Sequence, residues 1–250
     1  MPAMILRRAG AAAVLSGLAF AATAPAHAAS GELTYTCTLF GFPQGFDVES
    51  LDATERKLLD SAKGGEFSTQ GLAEEIPGLV EVHGLKASAA FDSAIEDGAT
   101  AAPGATVELE PVAGSFEFAP EVGAELRKLG ITEGFAGAML FAGIEETGLE
   151  RETEFFFDTV SVPESDALTL TAEDGVAQSF RVNAAGTFTY TAGDFEFFIA
   201  TDDENPEDMT FAGLSCIPDD DQDLTIDQVD ATAKPAPTTP APTTPAPTTS

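Results

Sequence analysis

The pattern closest to a ligand-binding motif is a run of aspartates near the end of the chain. Asp219, Asp221 and Asp223 have the spacing of positions 1, 3 and 5 of an EF-hand calcium loop. Asp230 then falls at position 12, where glutamate is usual, and Leu224 stands where the loop needs glycine. We therefore interpret the run as a solvated loop between strands, and a calcium-binding extracellular domain remains an alternative.

Carboxylates could also do acid–base chemistry. Residues 202–208 form a second acidic run, and the chain carries 42 Asp and Glu residues, so two of them could flank a glycosidic bond. With so many acids, the proximity of any two is uninformative. The absence of Trp also disfavours an aromatic-lined sugar cleft. A secreted carboxylate-dependent hydrolase is the other alternative.

Other catalytic arrangements have little support. Outside the predicted leader, His83 is the only histidine, and no Gly-x-Ser-x-Gly, His-Glu-x-x-His or phosphate-loop motif occurs. A lone histidine at a strand end is far more often structural than catalytic. We therefore predict that the protein is not an enzyme, with no catalytic residues and no cofactor.

The charge of the chain limits its partners. A net charge of −31 excludes nucleic acid, since phosphate binding needs clustered Lys and Arg, and it disfavours an anionic membrane surface. Strong like charge keeps a protein soluble and monomeric, so a monomer is expected.

Both ends of the chain have biased composition. Residues 1–28 combine Arg7 and Arg8 with an apolar stretch and a small-x-small site, which predicts a signal peptide cleaved between Ala28 and Ala29. No second apolar stretch is long enough to span a bilayer. Residues 231–250 repeat Pro-Ala-Pro-Thr-Thr three times, which is typical of a disordered, extended spacer. The predicted location is therefore secreted or cell-wall-associated.

Cys37 and Cys216 are the only cysteines. Two thiols in an exported chain, without a Cys-x-x-Cys arrangement, predict a structural disulfide. Such a bridge would tie the first strand of the body to one of the last.

The body, residues 29–230, has the pattern of an all-β domain. In residues 33–39 Leu33, Tyr35, Cys37 and Leu39 share one face, and threonines occupy the other. Similar stretches separated by turn residues predict eleven further strands, at 80–90, 106–110, 115–118, 136–142, 153–162, 168–172, 178–182, 187–191, 195–200, 210–216 and 224–229. Many short one-sided strands favour an antiparallel immunoglobulin-like β-sandwich.

Two segments have helical signals. Residues 51–63 space three leucines among charges, with Ser50 as a possible N-cap. Residues 120–129 begin with Pro120, carry acids early and bases late, and stop at Gly130, so that Leu126 and Leu129 would face the sheet. We predict one or two short connecting helices.

Three stretches resemble a family of exported two-cysteine proteins of unknown function from high-GC Gram-positive bacteria. They are residues 33–38 around Cys37, residues 120–137 with Gly134-Phe135-Ala136-Gly137, and residues 186–218 with Gly213-Leu214-Ser215-Cys216-Ile217-Pro218. The resemblance implies a β-rich body with paired cysteines and no assigned activity. The chain departs from the family in its acidity and in an insert at 53–70.

Together these features predict a secreted or envelope-associated, non-enzymatic binding or structural module. Its partner would be an envelope or extracellular protein or polymer that the sequence does not identify.

Overall fold

The computed structural model describes residues 31–43, 46, 51–54, 76, 78–201 and 210–232. The predicted leader with its cleavage site at Ala28 and Ala29, the acidic run 202–208 and nearly all of the predicted tail lie outside the described residues. Of the helix predicted at 51–63, only residues 51–54 are described, and Ala53 and Thr54 among them are helical.

The described chain forms thirteen strands and one complete helix. They are β1 (Leu33–Gly41), β2 (Val80–Asp92), β3 (Ala99–Ala101), β4 (Thr106–Val107), β5 (Val112–Phe118), α1 (Pro120–Lys128), β6 (Glu133–Ile144), β7 (Leu149–Ser161), β8 (Leu168–Ala177), β9 (Phe180–Arg181), β10 (Gly186–Thr191), β11 (Phe195–Ala200), β12 (Phe211–Pro218) and β13 (Thr225–Ala231). Each predicted strand corresponds to one of these elements. The short β3 was not predicted.

Eight strands close into an antiparallel barrel, in the order β11-β12-β1-β2-β5-β8-β7-β6, with β6 pairing back to β11. The prediction of an immunoglobulin-like sandwich is therefore wrong. Closure depends on β11, which pairs with β12 along one edge and with β6 along the other, from Phe195 opposite Leu140 to Ala200 opposite Phe135. A sandwich and a barrel have the same inward–outward alternation along each strand, so the sequence pattern does not distinguish them.

Three further strands extend the sheet beyond the barrel wall. β10 joins the end of β6 through Tyr190 and Thr191, β13 pairs with β10, and β3 lies parallel to β13. β4 and β9 form a separate two-stranded ladder. β13 continues to Ala231, which is buried at the first position of the predicted tail.

The helix α1 connects β5 to β6 and packs on the main core. Glu121 lies in its first turn and Arg127 and Lys128 in its last, which complements the helix dipole. A Schellman motif ends it: the Ile131 N–H donates to the Leu126 carbonyl, and Gly130 has a φ of 96°. Leu126 and Leu129 are buried, as the sequence predicts.

Aromatic side chains fill the barrel. Phe116 and Phe155 lie with ring centres 5.3 Å apart, and Phe118 and Phe197 with ring centres 4.7 Å apart. All four rings are almost fully buried. The interior is therefore a packed phenylalanine core at these positions, as eight-stranded barrels allow.

The predicted disulfide is present, and it joins Cys37 of β1 to Cys216 of β12. The two residues are direct cross-strand partners, so the bridge reinforces a ladder that brings together segments 179 residues apart. Both cysteines are fully buried in the main core.

Candidate functional site

The outer face of the barrel carries an aromatic row that crosses five neighbouring strands. The row consists of Phe40, Gly213, Phe198, Gly137 and Phe156, each directly opposite the next in the strand pairing. Phenylalanine and glycine alternate along it. A methyl at Gly213 would lie 2.2 Å from Cζ of Phe40, and one at Gly137 would lie 2.3 Å from Cζ of Phe198, so these rings lie over the glycines. This arrangement stabilises the sheet, because the ring covers backbone that glycine leaves bare.

Exposure rises along the aromatic row. Phe40 is 9% exposed and belongs to a second apolar cluster with Phe42, Ile76 and Leu79. Phe156, at the other end, is 66% exposed because glycine faces it on β6 and β8 does not pair beside it. Phenylalanine is normally buried, so an exposed ring at the end of an apolar row is typical of an interaction surface.

Most of the exposed large apolar side chains lie on β7, the strand of Phe156, or on its neighbours β6 and β8. Among the described residues, four of the five exposed large hydrophobic side chains lie on β6, β7 or β8: Phe135, Leu149, Phe156 and Val176. The fifth, Ile217, lies on β12. Scattered exposed hydrophobic residues need no explanation, but their clustering on adjacent strands favours a contact surface.

The barrel wall is open beside Phe156 and its exposed apolar neighbours. β7 and β8 pair only at Thr153 with Ala177 and Glu154 with Val176, and within the described chain no ladder joins them further along. Beyond that pairing the strands separate, leaving a cleft of about 460 Å³ lined by residues 156–161 of β7 and 168–171 of β8. We call this cleft the β7–β8 opening. The part of β7 beyond Glu154 keeps β6 on its other edge, and β8 keeps β5.

Acidic side chains surround the opening. Residues 149–177, which form β7, its loop and β8, contain eight acidic residues and a single basic one, Arg151. One of the eight, Glu164, pairs with Arg127 of α1 at 3.5 Å, which leaves a clear excess of acids. Next to the patch on β11, burial and the nearby Asp194 carboxylate raise the pKa of Glu196. Burial and Glu150 in turn raise the pKa of Asp194. The face therefore combines exposed aromatic rings with an excess of acidic side chains.

The aspartates that the sequence offers as candidate calcium ligands have separate hydrogen-bond partners. Asp219 accepts hydrogen bonds from Thr36 and Lys86, which lower its pKa. A backbone N–H from Thr225 lowers the pKa of Asp223. In the part of the chain that the structure describes, no three Asp, Glu, His or Cys residues form a group that could hold a metal ion.

The other two candidate ligands also have local roles. Asp230 accepts a hydrogen bond of 2.8 Å from the Thr187 hydroxyl across the β10–β13 pair. Asp221 occupies a turn with a φ of 63°. The loop thus stabilises the junction of β12 and β13.

Two polar residues that resemble catalytic groups have structural surroundings. His83 is exposed and lies 3.2 Å from the Thr38 hydroxyl and 3.3 Å from a Glu81 carboxylate oxygen. The buried Asp227 accepts hydrogen bonds from both the N–H and the hydroxyl of Ser93, which connects β13 to the end of β2. Burial raises the pKa of Asp227, and because Ser93 and Asp227 are both buried, a substrate cannot reach the Ser93 hydroxyl.

Sequence analysis missed Phe156, although a signal was present. The run Phe155-Phe156-Phe157 lies within a predicted strand, where successive side chains point to opposite faces. At least one of the three rings must therefore face outward. Phe155 and Phe157 point inward against Phe116, and Phe156 points to solvent.

The chain matches no protein-family model, no curated protein and no solved structure. The resemblance to the family of exported two-cysteine proteins therefore stays a prediction. Among the described residues, no helix has the length and apolar character needed to cross a membrane.

Proposed function

We propose that the protein is a non-enzymatic binding module of the extracellular space or cell envelope. It recognises its partner through Phe156, the neighbouring exposed apolar side chains and the β7–β8 opening. The observation that carries the proposal is the 66% exposure of Phe156 at the edge of an unpaired stretch of barrel wall. The leader and the Pro/Thr-rich segment predicted from the sequence supply the location.

The chemistry of the surface supports binding in preference to turnover. Aromatic side chains at the centre of a patch give large contact area, and polar residues around them exclude water from the contact. Phe135 and Val176 extend the apolar area around Phe156, and acidic residues such as Glu154 border it. The two alternatives from the sequence, calcium binding and hydrolysis, receive no comparable support from the positions of Asp219 and Asp227.

A substitution pair tests the proposal. Phe156→Ser removes the central ring, and Ile217→Ser removes an apolar side chain of similar accessibility, 57% exposed on β12. Both positions are exposed, so neither change should alter stability by more than about 0.5 kcal/mol. Thermal unfolding of both variants checks that assumption.

The wild-type protein and the two variants are each immobilised, and binding of proteins and polymers from the cell envelope and from the secreted fraction is then measured. The wild-type protein and Ile217→Ser should retain the same saturable partner, and Phe156→Ser should bind it about 30-fold more weakly, as for a hot-spot residue. Equal retention by all three proteins would refute the assignment of the site.

A further inference from the structure

We propose that the β7–β8 opening binds an extended, basic segment of another protein, which adds as a β-strand between β7 and β8. This inference rests on the proposed function and names the class of partner and the mode of binding.

The first argument comes from the backbone. Beyond Glu154, β7 pairs with β6 only, and β8 pairs along Leu168–Gly175 with β5 only. Within the described chain, no backbone partner occupies the edges that face the opening. Unpaired strand edges present rows of N–H and C=O groups, which are a template for an added strand. Strand addition satisfies these groups and supplies affinity through main-chain hydrogen bonds.

The second argument comes from the side chains that line the opening. Phe157 and Leu170 are only partly buried, although both pack on the main core. Phe157 reaches Phe116 with a ring-centre distance of 6.0 Å. A strand in the opening would point alternate side chains inward, where apolar residues would complete the burial of Phe157 and Leu170.

The third argument is charge complementarity. The outward-facing residues of a bound strand would lie among acids that include Glu154 and Asp158 on β7 and Glu173 and Asp174 on β8, all of them exposed. The lining residues, 156–161 and 168–171, contain no Lys or Arg. A segment that alternates basic and apolar residues therefore fits both faces, and complementary charge also accelerates its association.

The need for backbone N–H donors and the need for positive charge both disfavour segments of this chain as the added strand. Residues 231–250 carry repeated prolines, which lack the N–H that a central strand must donate. Residues 202–208 are acidic, and a second copy of the chain would bring a net charge of −31 to an already negative surface. A basic segment from a different protein meets both the hydrogen-bonding and the charge requirement.

Three nine-residue peptides test the inference with the purified full chain. The first alternates lysine with valine, the second alternates glutamate with valine, and the third is the lysine–valine peptide with proline at two central valine positions. Titration is followed by fluorescence anisotropy, and hydrogen exchange of the backbone amides is recorded with and without each peptide.

The lysine–valine peptide should bind and should slow exchange of amides in residues 155–161 and 168–174. The glutamate and proline peptides should bind at least tenfold more weakly, because one has the wrong charge and the other cannot donate two of the ladder hydrogen bonds. Asp158→Lys should weaken lysine–valine binding by about fivefold. The same charge reversal at the exposed Glu108, which follows β4, should leave it unchanged.

Each of the following outcomes would overturn the inference. Equal binding of the lysine–valine and proline peptides would indicate attraction by charge alone, without strand addition. If the lysine–valine peptide does not bind, the peptide assignment is wrong and the proposed function stands. The same holds if the partner that Phe156→Ser loses is a polysaccharide. If Phe156→Ser and Asp158→Lys both keep every specific partner of the wild-type protein, the proposed function is refuted as well.

Discussion

Gly114→Ala tests whether the barrel interior is packed in the way that the structure shows. A methyl at Gly114 would lie 2.8 Å from Cε1 of Phe155 and 3.1 Å from Cε2 of Phe116. Real carbon atoms do not approach this closely, so the Phe155 ring has to move within a filled core. Overpacking of this kind costs about 1–3 kcal/mol, and about 0.5–1 kcal/mol returns because alanine is better than glycine in a strand. We expect a net loss of about 1 kcal/mol, the difference between the midpoints of these two ranges.

The decisive measurement is a double-mutant cycle with Phe155→Leu. This second change alone should cost about 1–2 kcal/mol, because it removes buried atoms and leaves a small cavity. In the Gly114→Ala background the smaller leucine makes room for the methyl. The double variant should therefore be more stable than the sum of the single changes predicts, by about 1 kcal/mol. Denaturant unfolding with the disulfide intact gives all four free energies.

Two other glycines serve as comparisons. A methyl at Gly175 would meet Phe155 at 2.5 Å but also the Val112 carbonyl oxygen at 2.6 Å, a backbone atom that Phe155→Leu does not displace. Gly175→Ala should therefore be rescued less than Gly114→Ala. At Gly143 the nearest neighbour would be the Thr191 hydroxyl at 3.2 Å, and alanine should cost little. Additivity within about 0.5 kcal/mol for Gly114→Ala and Phe155→Leu would refute the packing argument.

Two further predictions concern stability. Replacing both Cys37 and Cys216 by alanine should lower the free energy of unfolding by roughly 5 kcal/mol, which is the loop-entropy value for a 179-residue separation. Denaturant unfolding measures this loss, and a loss below about 1 kcal/mol would contradict the prediction. Burial raises the pKa of Asp227 in the folded state, so as pH rises this carboxyl ionises first in the unfolded state. Its contribution to stability is therefore complete below its ordinary pKa of 3.8 and is lost as pH rises through the folded-state pKa. Asp227→Asn should therefore flatten the fall in unfolding midpoint above about pH 4, and an unchanged pH profile in thermal unfolding would contradict this reasoning.

Much of the local structure could be predicted from the sequence, because it depends on neighbours along the chain. Alternation identified β1 through Leu33, Tyr35, Cys37 and Leu39, since side-chain direction in a strand has a period of two. The helix α1 was predicted from Pro120 and Gly130, because both act through their own backbone geometry. β3 was missed because its three residues are too few to show a period.

The binding surface depends on contacts that local patterns do not contain. The aromatic row exists because Phe40, Gly213, Phe198, Gly137 and Phe156 come from five strands in one register. A shift of one residue in any pairing would move its members to the other face. The β7–β8 opening likewise depends on where two strands stop pairing.

The sequence by itself determined the all-β class, the position of nearly every strand and the chemical type of its two faces. It also determined the strong negative charge that restricts partners. Tertiary structure alone decided that β11 pairs with β6 and so closes a barrel, that Phe155 packs over Gly114 and Gly175, and that Phe156 stays exposed beside an opening. The reason is physical: the period of a strand is set by its own backbone, whereas pairing and packing are set by the free energy of contacts between residues far apart in the chain.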